Sequence, residues 1–216
     1  MPQRDSWCPI HLAIDEGHVE VVELLIDLGV NVEKPLNSNC DRLTPLMLAS
    51  ATGNLDIVKL LTTKGKAKIE KMDKYKKTAL THSIINGNAN VASYLVSKGA
   101  AFDKPDSSMN TNLHYACAYG WYFCAKLLID AGASPNAANE WKLTPVAVAF
   151  LKGHSGLAKW LLDIPGRVGL QKLSAKCLAC NKNVASNPLL NQQPIRKAVY
   201  FESASLAYFI SLLKIG

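Results

Sequence analysis

The apolar positions come in short paired blocks rather than long runs. In residues 44–65, Leu46, Leu48 and Ala49 make a brief apolar face and Gly53 interrupts it. Ile57, Val58, Leu60 and Leu61 then follow at helical spacing before a second glycine, Gly65. Steps of three and four place such residues on one side of an α-helix. The block predicts two short antiparallel helices joined by a glycine turn. Thr44 can cap the first helix, and Pro45 sits at the first helical position, where its missing N–H costs nothing. Gly65 is expected to take the left-handed backbone that ends the second helix. Val21, Val22, Leu24 and Leu25 read the same way, as do Leu127 and Leu128.

The block recurs in phase. Cys8-Pro9-Ile10-His11, Thr44-Pro45-Leu46-Met47, Thr78-Ala79-Leu80-Thr81, Thr111-Asn112-Leu113-His114 and Thr144-Pro145-Val146-Ala147 begin 36, 34, 33 and 33 residues apart. A glycine lies nine residues into each: Gly17, Gly53, Gly87, Gly120 and Gly153. A second glycine follows twelve residues later in four of them: Gly29, Gly65, Gly99 and Gly132. Three markers locked in one phase define a tandem repeat. A helix pair this small cannot bury its own apolar face, so the core must form between neighbouring units of a solenoid.

These segments resemble ankyrin repeats, whose pattern runs T-P-L-H-x-A, then G-H, then an apolar helix ending in G-A. The resemblance covers residues 3–163 as about five units: 3–35, 39–72, 73–105, 106–138 and 139–163. It implies an all-α solenoid of stacked helix-turn-helix units with projecting hairpin fingers. It also implies a non-catalytic scaffold or adaptor that binds a protein or peptide on its concave face. The family's contact positions lie just before the T-P-L-H segment and just before the first glycine. Carried over, they select Trp7, Lys74, Tyr75, Lys77, Tyr119, Trp141 and Lys152, with Trp121 adjacent. Tyr and Trp bury large areas at low rotamer cost and are enriched at interface hot spots. Trp160, in a second helix, reads as core. His11 and His114 are expected to bridge backbone and threonine between repeats, and His18 and His154 take the G-H position at a helix start.

The stretch Trp141–Pro145 and Phe150–His154 is also similar to ankyrin arrays that precede poly(ADP-ribose) polymerase domains in tankyrase-like proteins. That likeness supplies an alternative: the chain as the targeting part of a larger enzyme.

Composition narrows the rest. The chain has 216 residues, 49% of them hydrophobic, with mean hydropathy +0.05, which excludes wholesale disorder and collagen-like structure. No stretch reaches the ~18–20 apolar residues of a spanning helix, and Met1–Ile10 lacks a basic region followed by an apolar run. The six cysteines are scattered, which argues against a disulfide scaffold. The expectation is a reduced, intracellular, soluble monomer of cytoplasm or nucleus. Nucleotide-binding glycine loops and the H-E-x-x-H metalloprotease pattern are missing, so no enzyme and no cofactor are expected. Cys177 and Cys180 have zinc-like spacing but supply two of four ligands, with no second pair in the tail, so no metal site is assigned.

The formal net charge of +7 is unevenly placed. Residues 1–63 carry −5, residues 64–163 carry +6 and residues 164–216 carry +6. Seven lysines crowd residues 64–77. They read either as a solvated finger or as a docking patch for an acidic peptide, phosphate or nucleic acid. The array alone is nearly neutral, so its charge gradient favours a directional protein or peptide partner over nucleic acid. Glu16, Glu20, Glu23 and Asp27 are expected to make the outer side of the first unit polar. Residues 164–216 lack the repeat markers. Three readings stand for them: an irregular cap, a poorly ordered tail, or foreign sequence from truncation or mis-splicing. Tyr200–Ile215 has the spacing of one amphipathic helix.

Overall fold

In the computed structural model of the chain, residues 7–36 and 42–164 are described. Expectations for the tail, for Cys177 and Cys180, and for Tyr200–Ile215 lie outside them. The described residues form ten helices in five pairs and no β-strand: α1 (Pro9–Asp15), α2 (Val19–Asp27), α3 (Pro45–Thr52), α4 (Leu55–Thr63), α5 (Ala79–Ile85), α6 (Ala89–Ser97), α7 (Asn112–Tyr119), α8 (Tyr122–Asp130), α9 (Pro145–Leu151) and α10 (Ser155–Leu162).

Local chemistry sets the ends. The Thr44 hydroxyl accepts from the Met47 N–H at 3.3 Å, and Thr144 from Ala147 at 3.3 Å. Pro9, Pro45 and Pro145 open their helices in a position that needs no donor. Cys8 stands where the other repeats have threonine and makes no side-chain cap.

The odd-numbered helices stack into an inner layer and the even-numbered helices into an outer one. One buried column of the inner layer holds only small residues: Ala13, Ala49, Ser83, Ala116 and Ala149. Small side chains let the inner helices pack closely, and they contact one another more extensively than the outer helices do. Larger apolar side chains fill the space between units: Ile10, Leu46, Leu80 and Leu113 from the inner layer, Leu61, Leu95, Leu128 and Leu161 from the outer.

Two details depart from the expected pattern. Gly65 is not left-handed; Lys64 continues the helical backbone and Lys66 takes the positive φ of 53° instead. Gly65 is needed for closeness, because a Cβ there would stand 2.8 Å from the Leu61 carbonyl oxygen. The second departure is in α2, where Val22 is buried but Val21 and Leu24 are exposed.

The fingers are tight turns, each built on a side chain one repeat period from the next. Asp73 Oδ1 accepts the N–H groups of Tyr75 and Lys77, both at 2.8 Å. Asp106 Oδ1 does the same for Ser108 and Asn110, and Asn139 Oδ1 for Trp141 and Leu143. Three residues after each, the chain must turn left-handed, and Lys76, Met109 and Lys142 do so at φ 62°, 62° and 60°. A side chain costs about 1–2 kcal/mol in that region, against an entropic penalty for glycine of about 0.5–1 kcal/mol. The Met109 side chain is largely exposed. Met109→Gly is therefore expected to raise stability by about 0.5–1 kcal/mol, read as a higher urea midpoint; a lower midpoint refutes strain at this turn.

Candidate partner-binding surface

The surface that the family resemblance selects is framed by the finger tips and by the last turns of the inner helices. Finger chemistry is clearest between the second and third units. Asp73 clamps the turn and also holds His82, whose Nε2 lies 3.1 Å from Oδ2. The clamp leaves Tyr75 exposed, with Lys74 Nζ 4.8 Å and Lys77 Nζ 5.4 Å from its ring centre. Lys77 also stands 5.2 Å from the Tyr115 ring. The tip thus presents an exposed aromatic ring with two cations close to it. The Ser107 N–H donates to the Tyr75 carbonyl and the Glu140 N–H to the Ser108 carbonyl, so adjacent fingers support one another. Burial and the Asp106 carboxylate, which accepts the Tyr115 hydroxyl at 2.6 Å, push that phenol far up.

Beyond the tip, the lysine run divides. Lys64 bonds Glu23 at 2.9 Å and Asp27 at 2.7 Å; its pKa is raised, first by Asp27 and then by Glu23. Lys71 pairs with Glu33 at 2.9 Å, and Lys104 reaches Glu70 at 3.4 Å. Two of the seven lysines, Lys64 and Lys71, are therefore committed to the first unit. Glu23 and Asp27 face the second unit, which corrects the expectation that they polarise the outer side of the first.

The other selected residues are spread along the array. Trp7 and Trp141 are half-buried on fingers at opposite ends, their rings against the core. The indole nitrogen of Trp7 is buried with no hydrogen-bond partner. Tyr119 and Lys152 take equivalent places at the ends of α7 and α9; burial raises the Tyr119 pKa and lowers that of Lys152. Trp121 lies at the far end of α7 from the fingers. Its Nε1 donates to the Ile85 carbonyl at 3.2 Å, and a Cβ on Gly87, at φ 74°, would stand 2.8 Å from its ring. His154 makes the equivalent bond to Ala118 at 3.2 Å and Asn88 bonds Ser50 and Ala51 at 2.9 Å. Trp121 thus does the G-H position's bridging work. The structure brings together Lys74, Tyr75 and Lys77 on one finger; the clamp residues Asp73, Asp106 and Asn139 went unnoticed in sequence, although their 33-residue spacing marks them.

Among the described residues no group of three or more His, Cys, Asp or Glu could hold a metal ion, and no helix is long and apolar enough to cross a membrane. Cys117 and Cys124 are buried, and burial pushes the Cys124 thiol up to about 11.

A five-unit stack of paired helices with clamped fingers is the architecture of a repeat interaction module. The ankyrin-repeat family model matches residues 2–73, 65–139 and 104–172, and the chain belongs to that family. It is 42% identical over 164 residues to the poly [ADP-ribose] polymerase tankyrase of Caenorhabditis elegans, covering 75% of this chain and 7% of that protein. It is 33% identical over 153 residues to the ankyrin repeat and KH domain-containing protein mask-1 of the same organism, covering 70% and 6%. A C. elegans homolog of transient receptor potential cation channel subfamily A member 1 matches at 32% over 165 residues, 76% and 13%. The chain therefore spans a small part of each relative. Ankyrin repeats are protein-interaction modules and are not themselves catalytic.

Proposed function

We propose that the chain is a non-catalytic adaptor that takes an acidic protein or peptide across its concave face. The carrying observation is the third-unit finger, where Tyr75 is held exposed between Lys74 and Lys77. Partner carboxylates would meet the two ammonium groups while an apolar side chain covers the ring. Trp141, Tyr119 and Lys152 extend the surface towards the fifth unit, and Trp7 towards the first. Peptides selected from a display library on the purified chain test this reading. Tyr75→Ala combined with Trp141→Ala is expected to weaken the best acidic peptide at least tenfold by fluorescence anisotropy, with helical circular dichroism retained. Raising salt is expected to weaken it further. Unchanged affinity with intact helices would overturn the surface.

A second reading rests on the 42% identity to tankyrase: the repeats choose targets for a poly(ADP-ribose) polymerase domain in a longer product. It expects NAD⁺ consumption by such a product and none by the 216-residue chain.

A further inference from the structure

The first helix pair exposes apolar residues at positions where most later pairs are more buried. Val21 is 45% exposed, whereas its equivalents Ile57, Val91, Cys124 and Leu157 are exposed by 0, 0, 1 and 7%. Leu12 is 37% exposed; its equivalents Leu48, Tyr115 and Val148 are buried and His82 is half-buried. Leu24 is 57% and Leu28 71% exposed.

Cross-unit contacts show which way these positions point. At the position of Leu24, Tyr94 reaches back to the Thr62 hydroxyl at 2.9 Å, and Trp160 reaches back to Tyr122 with ring centres 4.9 Å apart. At the position of Leu28, Lys64 reaches back to Glu23 and Asp27. In each case the side chain meets the unit before its own. Leu12, Val21, Leu24 and Leu28 thus continue the stacking interface on the side where no described unit stands. Their own unit's acids do not shield them, since Glu23 and Asp27 turn the other way to Lys64.

We propose that this side of α1 and α2 is a stacking surface for one more ankyrin-type helix pair, joined in register ahead of Trp7. Its chemistry is specified. Lys64 meets two carboxylates, but Leu28 in the same place calls for neutral or apolar groups at the positions of Glu23 and Asp27. Area favours a joined unit over a second copy. A stable interface between separate chains buries about 800 Å² per partner, more than four partly exposed side chains supply. A unit linked in the same chain needs far less, because the linkage removes most of the association entropy.

The test fuses a copy of residues 73–105 ahead of Gln3. This keeps the 33-residue spacing and places Ser93 and Ser97, at the positions of Glu23 and Asp27, opposite Leu28. In a stack stabilised by neighbour contacts, the fusion is expected to melt about 5 °C or more above the parent in one cooperative transition. Val21→Lys with Leu24→Lys should remove most of that gain and shift the parent by under about 2 °C, since both side chains are largely exposed there. No gain on fusion, or equal losses in parent and fusion, would overturn the proposal. So would sedimentation of the parent as a dimer that the two lysines dissolve, which would make the face a contact between copies.

Discussion

His114→Ala is expected to lower the unfolding free energy of the array by about 3–5 kcal/mol. The imidazole is fully buried between the fourth and fifth units. Its Nδ1 accepts the Thr111 N–H at 3.1 Å and lies 2.9 Å from the Thr111 hydroxyl; Nε2–H donates to the Leu143 carbonyl at 3.0 Å. These bonds assign the proton to Nε2. Truncation leaves a cavity, strips the start of α7 of its acceptor and orphans a buried carbonyl on the next finger. Each loss falls on an inter-unit contact, so the fifth helix pair should melt first and cooperativity should drop. His114→Gln can keep an acceptor toward Thr111 and a donor toward Leu143, and is expected to recover much of the loss. A urea midpoint for His114→Ala within about 1 kcal/mol of the parent would show that the bridge carries little stability.

The repeat phase puts His114 three residues after the capping threonine, where the family resemblance implies this bridge; the same expectation fails at His11, where Cys8 replaces the threonine and neither ring nitrogen has a hydrogen-bond partner. The same phase read the helix pairs and the cap at Thr44, and placed Tyr75 on a finger. Features that depend on a partner far along the chain stayed hidden. Glu23 and Asp27 look like a solvated acidic stripe on α2, and nothing within one helix shows that Lys64 claims them. Val21 and Leu24 carry the same apolar signal as Ile57 and Leu60. Helical period says that a residue faces a neighbour, not that the neighbour is there. Finger turns escaped for another reason: left-handed turns usually show as glycine, and here Lys76, Met109 and Lys142 occupy them. Trp121 read only as adjacent to the contact positions, and its place at the G-H position, where its indole N–H bridges to the preceding unit, was not recognised.

Acid is expected to unfold the array through His114 and His11 together, between pH 6.5 and about 4. Burial is the main cause in both, lowering each imidazole to about 4. For His114 the Leu143 carbonyl and the Asp106 charge oppose burial without overcoming it. For His11 the Lys34 main chain opposes while the Lys34 charge adds to the lowering. Neither ring nitrogen of His11 has a hydrogen-bond partner, so this main-chain influence acts from outside bonding geometry. The sign follows from proton counting. Below pH 6.5 the unfolded chain protonates these histidines and the folded chain does not, so the unfolded state binds more protons and stability falls as pH falls. The contribution is fully present above pH 6.5 and is lost by about pH 4, where the folded imidazoles also protonate. At about 1.4 kcal/mol per pH unit, each histidine accounts for ~3 kcal/mol over that window. Two of them are comparable to the whole stability of a typical domain, ~5–15 kcal/mol. Urea unfolding at half-unit steps from pH 7.5 to 4 checks this. The free energy of the parent should drop by several kcal/mol, and His114→Gln, with one titrating imidazole removed, should show about half the slope. If His114→Gln and the parent run parallel across the window, the buried imidazole of the fourth unit is not what couples this fold to pH.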